Sequence, residues 1–315
     1  LGTGLKLAVL GTHPSALPMR TLAESNFDYV IQGEGGATIT ALLKRRTSFL
    51  PIPGLWVEPG SGRFVMAPPT PGLAIDLDAE LPQPNWDALL GAEGLRRYRA
   101  HNWHLFGRPA GGGYASVQTS LGCPFACSFC CINAPFTAGG QPRGIRFWSP
   151  EAVASQILSL HQTYGITNFK IPDEMFVLNR AHVRKICERL IAANVQDLNI
   201  WAYARIDTVK DEALLELMRR AGFTWLGLGI ESGSAHVRDG VEKGRFGQPE
   251  IHAAVARVRA AGIAIGANYI FGLPDDTRES MQETLDLAVD LNTEWANFYC
   301  AMAYPGSPLH AQTVE

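Results

Sequence analysis

The sequence predicts an α/β fold in which most of the chain forms a partial (β/α)6 barrel. From Ala115 onward, six short strands alternate with helical sequence, and only the sixth strand meets the chain end instead. The strands are continuous apolar runs, which is typical of parallel strands whose two faces are both covered. In such a fold the active site lies at the carboxyl ends of the strands.

Local signals define the elements along the chain. Ser149-Pro150-Glu151 predicts a helix start, because a capping serine, a proline at the first helical position and an acidic first turn all favour it. The predicted strands lie at 115–119, 167–171, 198–204, 225–230, 263–271 and 295–301. Besides the helix that starts at Ser149, the predicted helices lie at 180–193, 211–221, 248–261 and 277–292.

The part of the chain before this barrel is organised differently. Residues 1–48 predict a strand at 6–10, a helix at 17–25, a strand at 29–31 and a further helix, which is the tail of an alternating β/α unit. Residues 49–113 are rich in proline and glycine and predict a linker with a hairpin at 54–66. The barrel domain is predicted over 114–315. Because the chain begins with Leu1 and a strand follows almost at once, we expect a fragment of a longer protein.

Composition restricts the classes of function. The chain has 315 residues, of which 46% are hydrophobic and 18% are charged, as in a globular protein. Its formal net charge of -3 supplies no basic field for nucleic acid. No apolar run approaches the roughly 20 residues that span a bilayer. The six cysteines are crowded instead of spread as a disulfide framework, which predicts a cytoplasmic protein.

Cys123, Cys127 and Cys130 follow the first barrel strand with Cys-x3-Cys-x2-Cys spacing. Three thiolates this close can hold three irons of a four-iron cluster and leave the fourth iron open to a second molecule. A structural zinc site would normally be closed by four ligands. Cys131 adjoins a predicted ligand, so its side chain should point elsewhere.

Polar residues follow the other strands, at the edge where a barrel places its active site. They are suited to a bound ligand, whereas an electron carrier would not need them. Lys243-Gly244 is either a ligand contact or a solvated loop. The residues at the strand ends are Asp173, Glu174, Arg205, Asp207, Glu231 and Ser232, with Asn268 inside the fifth strand.

The cysteine spacing resembles that of the radical S-adenosylmethionine (SAM) superfamily, whose core is a partial TIM barrel. Further similarity lies in Phe129 before the last cysteine, in Glu231-Ser-Gly-Ser234 and in Tyr304-Pro-Gly-Ser-Pro308. Residues 11–14 and 28–36 resemble the second half of a Rossmann-like cobalamin-binding domain. The chain is therefore similar to the cobalamin-binding subgroup, which includes methyltransferases and a ring-forming cyclase. One departure is Pro172-Asp-Glu-Met175, where the superfamily has Gly-Gly-Glu.

The resemblance implies cofactors and a role for each site residue. Cys123, Cys127 and Cys130 would hold a 4Fe-4S cluster that reductively cleaves SAM. Asp173 and Glu174 would receive the SAM ammonium, and Arg205 its carboxylate or ribose. Glu231 and Ser232 would bond the ribose hydroxyls. Phe129 and the backbone around Ala267 would flank the adenine. Cobalamin is expected to bind the full-length protein. It is not expected of this sequence alone, because the first half of the cobalamin-binding domain is absent from it.

The function implied is cobalamin-dependent methylation of a small-molecule substrate, with electrons from an external flavodoxin- or ferredoxin-type donor. One alternative is a radical SAM cyclase or rearrangement enzyme without methyl transfer. A different class is a non-catalytic iron-sulfur protein for electron transfer or sensing, and a structural zinc module is a third. No motif identifies the substrate, and the fold does not choose one.

Overall fold

The protein is described from a computed structural model that covers residues 4–44, 52–57, 72–89, 91–97, 113–137, 144–244 and 246–314. The chain divides into two compact units. The first comprises Leu1–Leu81, Gly122–Arg146 and Met302–Glu315, and the second comprises Pro82–Leu121 and Phe147–Ala301. No helix within the described ranges combines the length and apolar character that crossing a bilayer requires. The assignment of domains to 1–48, 49–113 and 114–315 stays a prediction.

The elements are numbered in chain order. The strands are β1 Ala8–Leu10, β2 Tyr29–Ile31, β3 Leu55–Val57, β4 Gly113–Ser116, β5 Ser120–Leu121, β6 Arg146–Phe147, β7 Ile166–Lys170, β8 Asn199–Arg205, β9 Phe223–Glu231, β10 Ala264–Phe271 and β11 Trp295–Cys300. The helices are α1 Thr12–Ala16, α2 Pro18–Ala23, α3 Gly36–Lys44, α4 Leu77–Glu80, α5 Trp86–Leu89, α6 Gly91–Arg96, α7 Pro150–Tyr164, α8 Arg180–Ala192, α9 Glu212–Arg220, α10 Ala235–Gly240, α11 Gln248–Ala260, α12 Arg278–Leu291 and α13 Pro308–Val314.

The second unit contains a six-stranded sheet in the order β11-β10-β9-β8-β7-β4. All of its neighbouring strands are parallel. Helices α7, α8, α9, α11 and α12 connect or flank these strands along the chain. The predicted α/β class and the (β/α)6 partial barrel are therefore confirmed.

The two faces of this sheet differ in chemistry because alternate residues of a strand point to opposite sides. One face is apolar and fully buried, with Ala202 on β8, Leu228 on β9 and Ile265 on β10. Helix α9 packs against β9, α11 and α12 pack against β10, and α7 packs against β7 of the same sheet. The opposite, concave face carries alternating residues of another kind, such as Tyr203 and Gly227. The charged residues of the strand ends lie at the carboxyl end of this face.

Predicted helix starts and strand ends can be compared with the structure. Ser149 caps α7, its Oγ accepting a hydrogen bond from the Ala152 amide at 3.1 Å. The single strand predicted at 115–119 is wrong: β4 ends at Ser116 and β5 is separate. The Val117 amide still donates to the Lys170 carbonyl of β7 at 2.9 Å, whereas the Thr119 amide donates to the Asp173 carboxylate at 2.9 Å.

The first unit contains a three-stranded sheet in the order β1-β2-β3. Strands β1 and β2 are parallel, as in an alternating β/α unit, whereas β3 pairs antiparallel to β2. The helix predicted at 17–25 is found as α2, and a further short helix that was not predicted, α1, precedes it. Pro18 separates the two, because it has no amide hydrogen with which to continue α1. Only the β3 part of the predicted hairpin at 54–66 lies inside the described residues.

Candidate functional site

The three predicted ligand cysteines line one cavity in the first unit. Cys123 is buried, and Cys127 and Cys130 are partly buried. The cavity has a volume of about 50 Å³, and its wall also includes Phe125, Ala126, Ile132, Asn133, Thr137 and Gly306. The segment is a series of turns, one of them closed by the Cys130 amide donating to the Cys127 carbonyl at 3.1 Å. The spacing therefore brings three cysteines to the wall of one small cavity.

Asn133 holds the start of this loop in place. Its Oδ1 accepts a hydrogen bond from the Cys123 amide at 3.0 Å, and its Nδ2 donates to the Cys123 carbonyl at 2.8 Å. The Asn133 Nδ2 also donates to the Phe125 carbonyl at 3.4 Å. One side chain thus fixes both polar backbone groups of the first ligand. Nothing in the sequence spacing identified this residue.

The residues of the loop fit an iron-sulfur cluster. Three thiols supply the donor set of a cluster with one open iron. The Ser128 Oγ lies buried in the same loop and has no hydrogen-bond partner among the described residues, an arrangement that suits an acceptor outside the polypeptide.

A single metal ion fits the loop less well. Among the described residues, no group of three or more His, Cys, Asp or Glu side chains surrounds a point where one ion could bind. Thiolates on one zinc lie within about 4 Å of each other, whereas a cluster places each thiolate on a different iron. The Cys-x3-Cys-x2-Cys segment supplies three donors, whereas a structural zinc site normally has four.

Two glycines allow close packing around the loop. Gly122 has a φ of 86°, and a Cβ there would lie 2.3 Å from the Gly144 carbonyl oxygen. Gly306 has a φ of 91°, and a Cβ there would lie 2.7 Å from the Ala134 Cβ. Just beyond it, the Leu309 amide donates to the Ser128 carbonyl at 2.8 Å. The Tyr304–Pro308 segment and the residue after it therefore pack against the cysteine loop and support it.

In the second unit, Asp173 is buried at the end of β7 and bonded to the segment that follows β4. Its Oδ1 accepts from the Thr119 amide, and its Oδ2 accepts from the Thr119 and Ser120 hydroxyls at 2.6 Å each. Burial raises the pKa of Asp173, although these hydrogen bonds oppose the rise. Both oxygens are engaged within the protein, so the geometry makes Asp173 a brace. Its predicted contact with SAM stays a prediction.

Glu174, Glu231 and Lys243 form a charged group at the same strand ends. Lys243 Nζ lies 2.6 Å from Glu231 Oε1, and both side chains are at most 10% exposed. Desolvation raises the pKa of Glu174, Lys243 lowers it, and the charges of Asp173 and Glu231 raise it further. The Glu174 side chain nevertheless reaches solvent. Two carboxylates with one ammonium leave an excess negative charge, which suits a cationic ligand group.

Glu231 adopts a backbone conformation that is rare for a residue other than glycine. Its φ is 68°, in the left-handed region, at the last position of β9. The side chain lies over Gly229, where a Cβ would be 2.6 Å from Glu231 Oε1 and 2.8 Å from Lys243 Nζ. The glycine makes room for the ion pair. A strained residue of this kind is expected where geometry matters more than stability.

Arg205 and Ser232 reach the strand ends but bond to the protein itself. Arg205 is 5% exposed and pairs through two nitrogens with Asp207, at 3.0 and 2.9 Å. The Ser232 hydroxyl is fully buried and lies 3.2 Å from the Thr284 Oγ1. Both side chains shape the rim from inside. Their predicted contacts with SAM stay predictions.

The two residues predicted to flank adenine lie in different units. Phe129 is partly buried in the cysteine loop of the first unit. Ala267 is fully buried in β10, between Leu228 of β9 and Ala296 of β11 in the ladder. Its side chain belongs to the core, so a contact with adenine remains a prediction for its backbone alone.

This chain is similar to a known protein family and to several known proteins. The family model described as the radical SAM superfamily matches residues 117–288. An uncharacterized methyltransferase, PH0819, from Pyrococcus horikoshii is 32% identical over 95% of this chain and 61% of its own length. The anaerobic magnesium-protoporphyrin IX monomethyl ester cyclase of Cereibacter sphaeroides is 27% identical over 95% of this chain and 47% of its own. The chain thus spans about half to three fifths of these relatives.

Solved structures share the fold. The radical SAM methyltransferase TsrM from Kitasatospora setae, solved with cobalamin and a 4Fe-4S cluster bound, matches with a TM-score of 0.74 at 20% identity. The match covers 98% of this chain and 57% of TsrM. OxsB, a cobalamin-dependent SAM radical enzyme solved with aqua-cobalamin and SAM, matches with a TM-score of 0.69 at 22% identity, over 89% of this chain and 38% of its own.

The Gly122→Ala substitution should lower the iron content of the protein. The Gly144 carbonyl would have to move away from the new methyl group, and the cysteine loop would move with it. We expect bound iron and sulfide to fall at least about threefold after anaerobic reconstitution, because packed groups cannot absorb a contact of this kind.

Gly272→Ala is the matched control, since Gly272 has a φ of 80° and open space at its Cβ. It should lower the free energy of unfolding by about 1–2 kcal/mol and keep the iron. Equal iron content in the two variants would contradict the role given to Gly122.

The Lys243→Met substitution should destabilise the second unit, because it leaves the buried Glu231 carboxylate without its partner. We expect a loss of about 3–5 kcal/mol in urea unfolding. Adding Glu231→Gln to the same chain removes the uncompensated charge and should recover part of the loss. Lys210→Met, at an exposed lysine, is the control and should change little. No recovery in the double variant would show that the ion pair is not the cause.

Proposed function

The chain belongs to the radical SAM superfamily, and from that premise we propose that it holds a 4Fe-4S cluster, cleaves SAM reductively and methylates a small-molecule substrate with the help of cobalamin. The observation that carries the proposal is the group of three thiols lining one cavity, since this donor set leaves one iron of a cluster open. The activity of the whole protein is part of the proposal, because its relatives are longer than this chain.

The cofactors would supply the electron, the radical chemistry and the carriage of the methyl group when bound. The protein's own residues bind and orient. Cys123, Cys127 and Cys130 supply the thiolates, and Asn133 fixes the backbone of the first of them. Glu174 is the carboxylate best placed for the SAM ammonium, since its side chain is exposed, whereas Asp207, the other accessible acid of the rim, is paired with Arg205.

The other rim residues position this carboxylate and its surroundings. Asp173 braces the segment that leads to the cysteines through Thr119 and Ser120. Lys243 holds Glu231 and lowers the pKa of Glu174, which favours the charged form that an ammonium needs. Arg205 and Ser232 keep their proposed roles toward the SAM carboxylate and ribose, and Phe129 and Ala267 toward adenine.

The relative from Pyrococcus horikoshii, which is 32% identical, is named as a methyltransferase, and this favours methylation over ring formation. Ring formation is the second candidate, supported by the cyclase at 27% identity. We also propose that residues 1–48 supply part of a cobalamin site. A flavodoxin- or ferredoxin-type donor would reduce the cluster, and the protein would work in the reducing cytoplasm, where crowded cysteines stay as thiols.

The proposal is tested by anaerobic reconstitution with iron and sulfide, followed by dithionite and SAM. We expect 5′-deoxyadenosine and methionine, detected by mass spectrometry. Cys127→Ala should abolish both products together with the visible absorption of the cluster. An intact cluster that yields neither product would overturn the proposal and leave the electron-transfer or sensing class. With SAM labelled in its methyl group and added cobalamin, label reaching the cobalamin separates methyl transfer from ring formation.

SAM binding should depend on pH through Glu174. Because its pKa is raised above the ordinary value of 4.5, the carboxylate gains its proton at a higher pH than usual, and affinity for the SAM ammonium falls as the pH drops through that raised value. Equilibrium dialysis from about pH 7 to about pH 5 measures this, a range in which an α-amino group stays largely protonated. Glu174→Gln should bind SAM more weakly with little pH dependence, whereas the exposed Glu188→Gln should behave as the wild type. The same slope in Glu174→Gln would contradict this role.

A further inference from the structure

The concave face of the six-stranded sheet carries a group of aromatic side chains that the function proposed above does not use. Trp201 and Trp225 stack with their ring centroids 5.1 Å apart and an interplanar angle of 15°. Tyr203 meets Trp201 edge-on at 6.2 Å. Tyr114 and Trp295 pack against the same pair. These five residues are called the aromatic floor below.

Glycines on neighbouring strands make the aromatic floor possible. A Cβ at Gly227 would lie 2.5 Å from Tyr203 Cδ1, and a Cβ at Gly266 would lie 2.6 Å from Trp201 Cη2. The rings of Tyr203 and Trp201 therefore lie directly over the backbone of β9 and β10. Residues with side chains at these positions would push the rings out into the concave space, so the glycines keep that space open.

Part of the aromatic floor is exposed. Tyr114, Tyr203 and Trp295 are only partly buried, whereas Trp201 and Trp225 are 9% and 3% exposed. The exposed residues of the floor are all aromatic. Such surfaces stack best with another planar ring system, because offset and edge-on contacts between aromatic groups add to the burial of apolar area.

A lysine lies beside the aromatic floor. Lys170, the last residue of β7, is partly exposed, and its Nζ lies 5.3 Å from the centroid of the Tyr203 ring. Within the described part of the chain, Lys170 forms no ion pair, whereas Lys243 of the same unit is paired with Glu231. The positive charge of Lys170 acts electrostatically on Glu174 and Tyr299 and lowers the pKa of each. An ammonium in this position is available to an anionic group.

Polar groups on the far strands limit how a ligand lies. The Trp295 Nε1 donates to Asn297 Oδ1 at 2.6 Å, and Asn297 Nδ2 donates to Asn268 Oδ1 at 3.0 Å. Both asparagines are partly buried on the side of β10 and β11. They face a ligand with neutral amides, whereas Lys170 on β7 carries a positive charge beside the Tyr203 ring.

We propose that the aromatic floor and Lys170 form the substrate site, and that the substrate is a planar aromatic or conjugated molecule with a carboxylate or similar anionic group. The ring system stacks on Tyr203 and its neighbours while the anion pairs with Lys170. This inference rests on the proposed function, because it names the substrate class of the same enzyme. It adds a recognition element that none of the cofactor-binding residues supplies.

The test uses two probes of the same shape, indole-3-acetate and its neutral amide, indole-3-acetamide. Their dissociation constants are measured by equilibrium dialysis against the anaerobically reconstituted protein, with and without saturating SAM. We expect the acetate to bind about tenfold more tightly than the acetamide, both with and without SAM, as a charge-assisted hydrogen bond would give. Lys170→Met should reduce the ratio to about one. Lys185→Met, at an exposed lysine of α8, should leave it unchanged.

Tyr203→Leu provides a second variant, which should weaken both probes by the same factor and keep the ratio between them. Equal binding of the two probes by the wild type, or a ratio that survives in Lys170→Met, would overturn the proposal. A preference for the acetate that disappears when SAM is added would place Lys170 in the SAM site and overturn it as well. None of these results bears on SAM cleavage by the wild type, which tests the proposed function separately.

Discussion

Parallel pairing of the six strands is the constraint on which the chemistry of the second unit depends. Asp173, Arg205 and Glu231 are far apart in the sequence, yet each follows or ends a strand of the same sheet, and parallel strands end at one edge. The central strands satisfy their backbone groups on both sides. The side chains at the strand ends are therefore held by a rigid ladder rather than by their local loops.

The strand ends concentrate charges that would be costly to bury alone, and each has a partner within the protein. Glu231 pairs with Lys243, Arg205 with Asp207, and Asp173 with the hydroxyls of Thr119 and Ser120. Buried charges require such compensation. Glu174 differs, because its side chain reaches solvent while its pKa is raised by its surroundings. This contrast separates the residues that build the rim from the one best suited to meet a ligand.

Several glycines matter for both units because their lack of a side chain lets other groups approach closely. In the first unit, Gly122 lets a carbonyl approach the start of the cysteine loop. In the second unit, Gly227 and Gly266 let aromatic rings lie on the strands, and Gly229 makes room for the Glu231–Lys243 pair. In each case a Cβ would meet another group well inside van der Waals contact. Close packing of this kind positions functional groups without any bond to them.

The sequence by itself determined the fold class and the helix starts at Ser149, Asp211 and Thr277, and it predicted the three cysteines that line one cavity, because these features depend on periodicity, capping and spacing over a few residues. Only the tertiary structure decided where the side chains point. It turned Arg205 and Ser232 toward the protein, ended the strand predicted at 115–119 at Ser116, bonded the Thr119 amide to Asp173, and bonded the Leu309 amide to Ser128. It also showed that Lys243 is buried against Glu231 instead of solvated in a loop. These contacts join positions distant in the chain, and their geometry follows from packing, which no local pattern records.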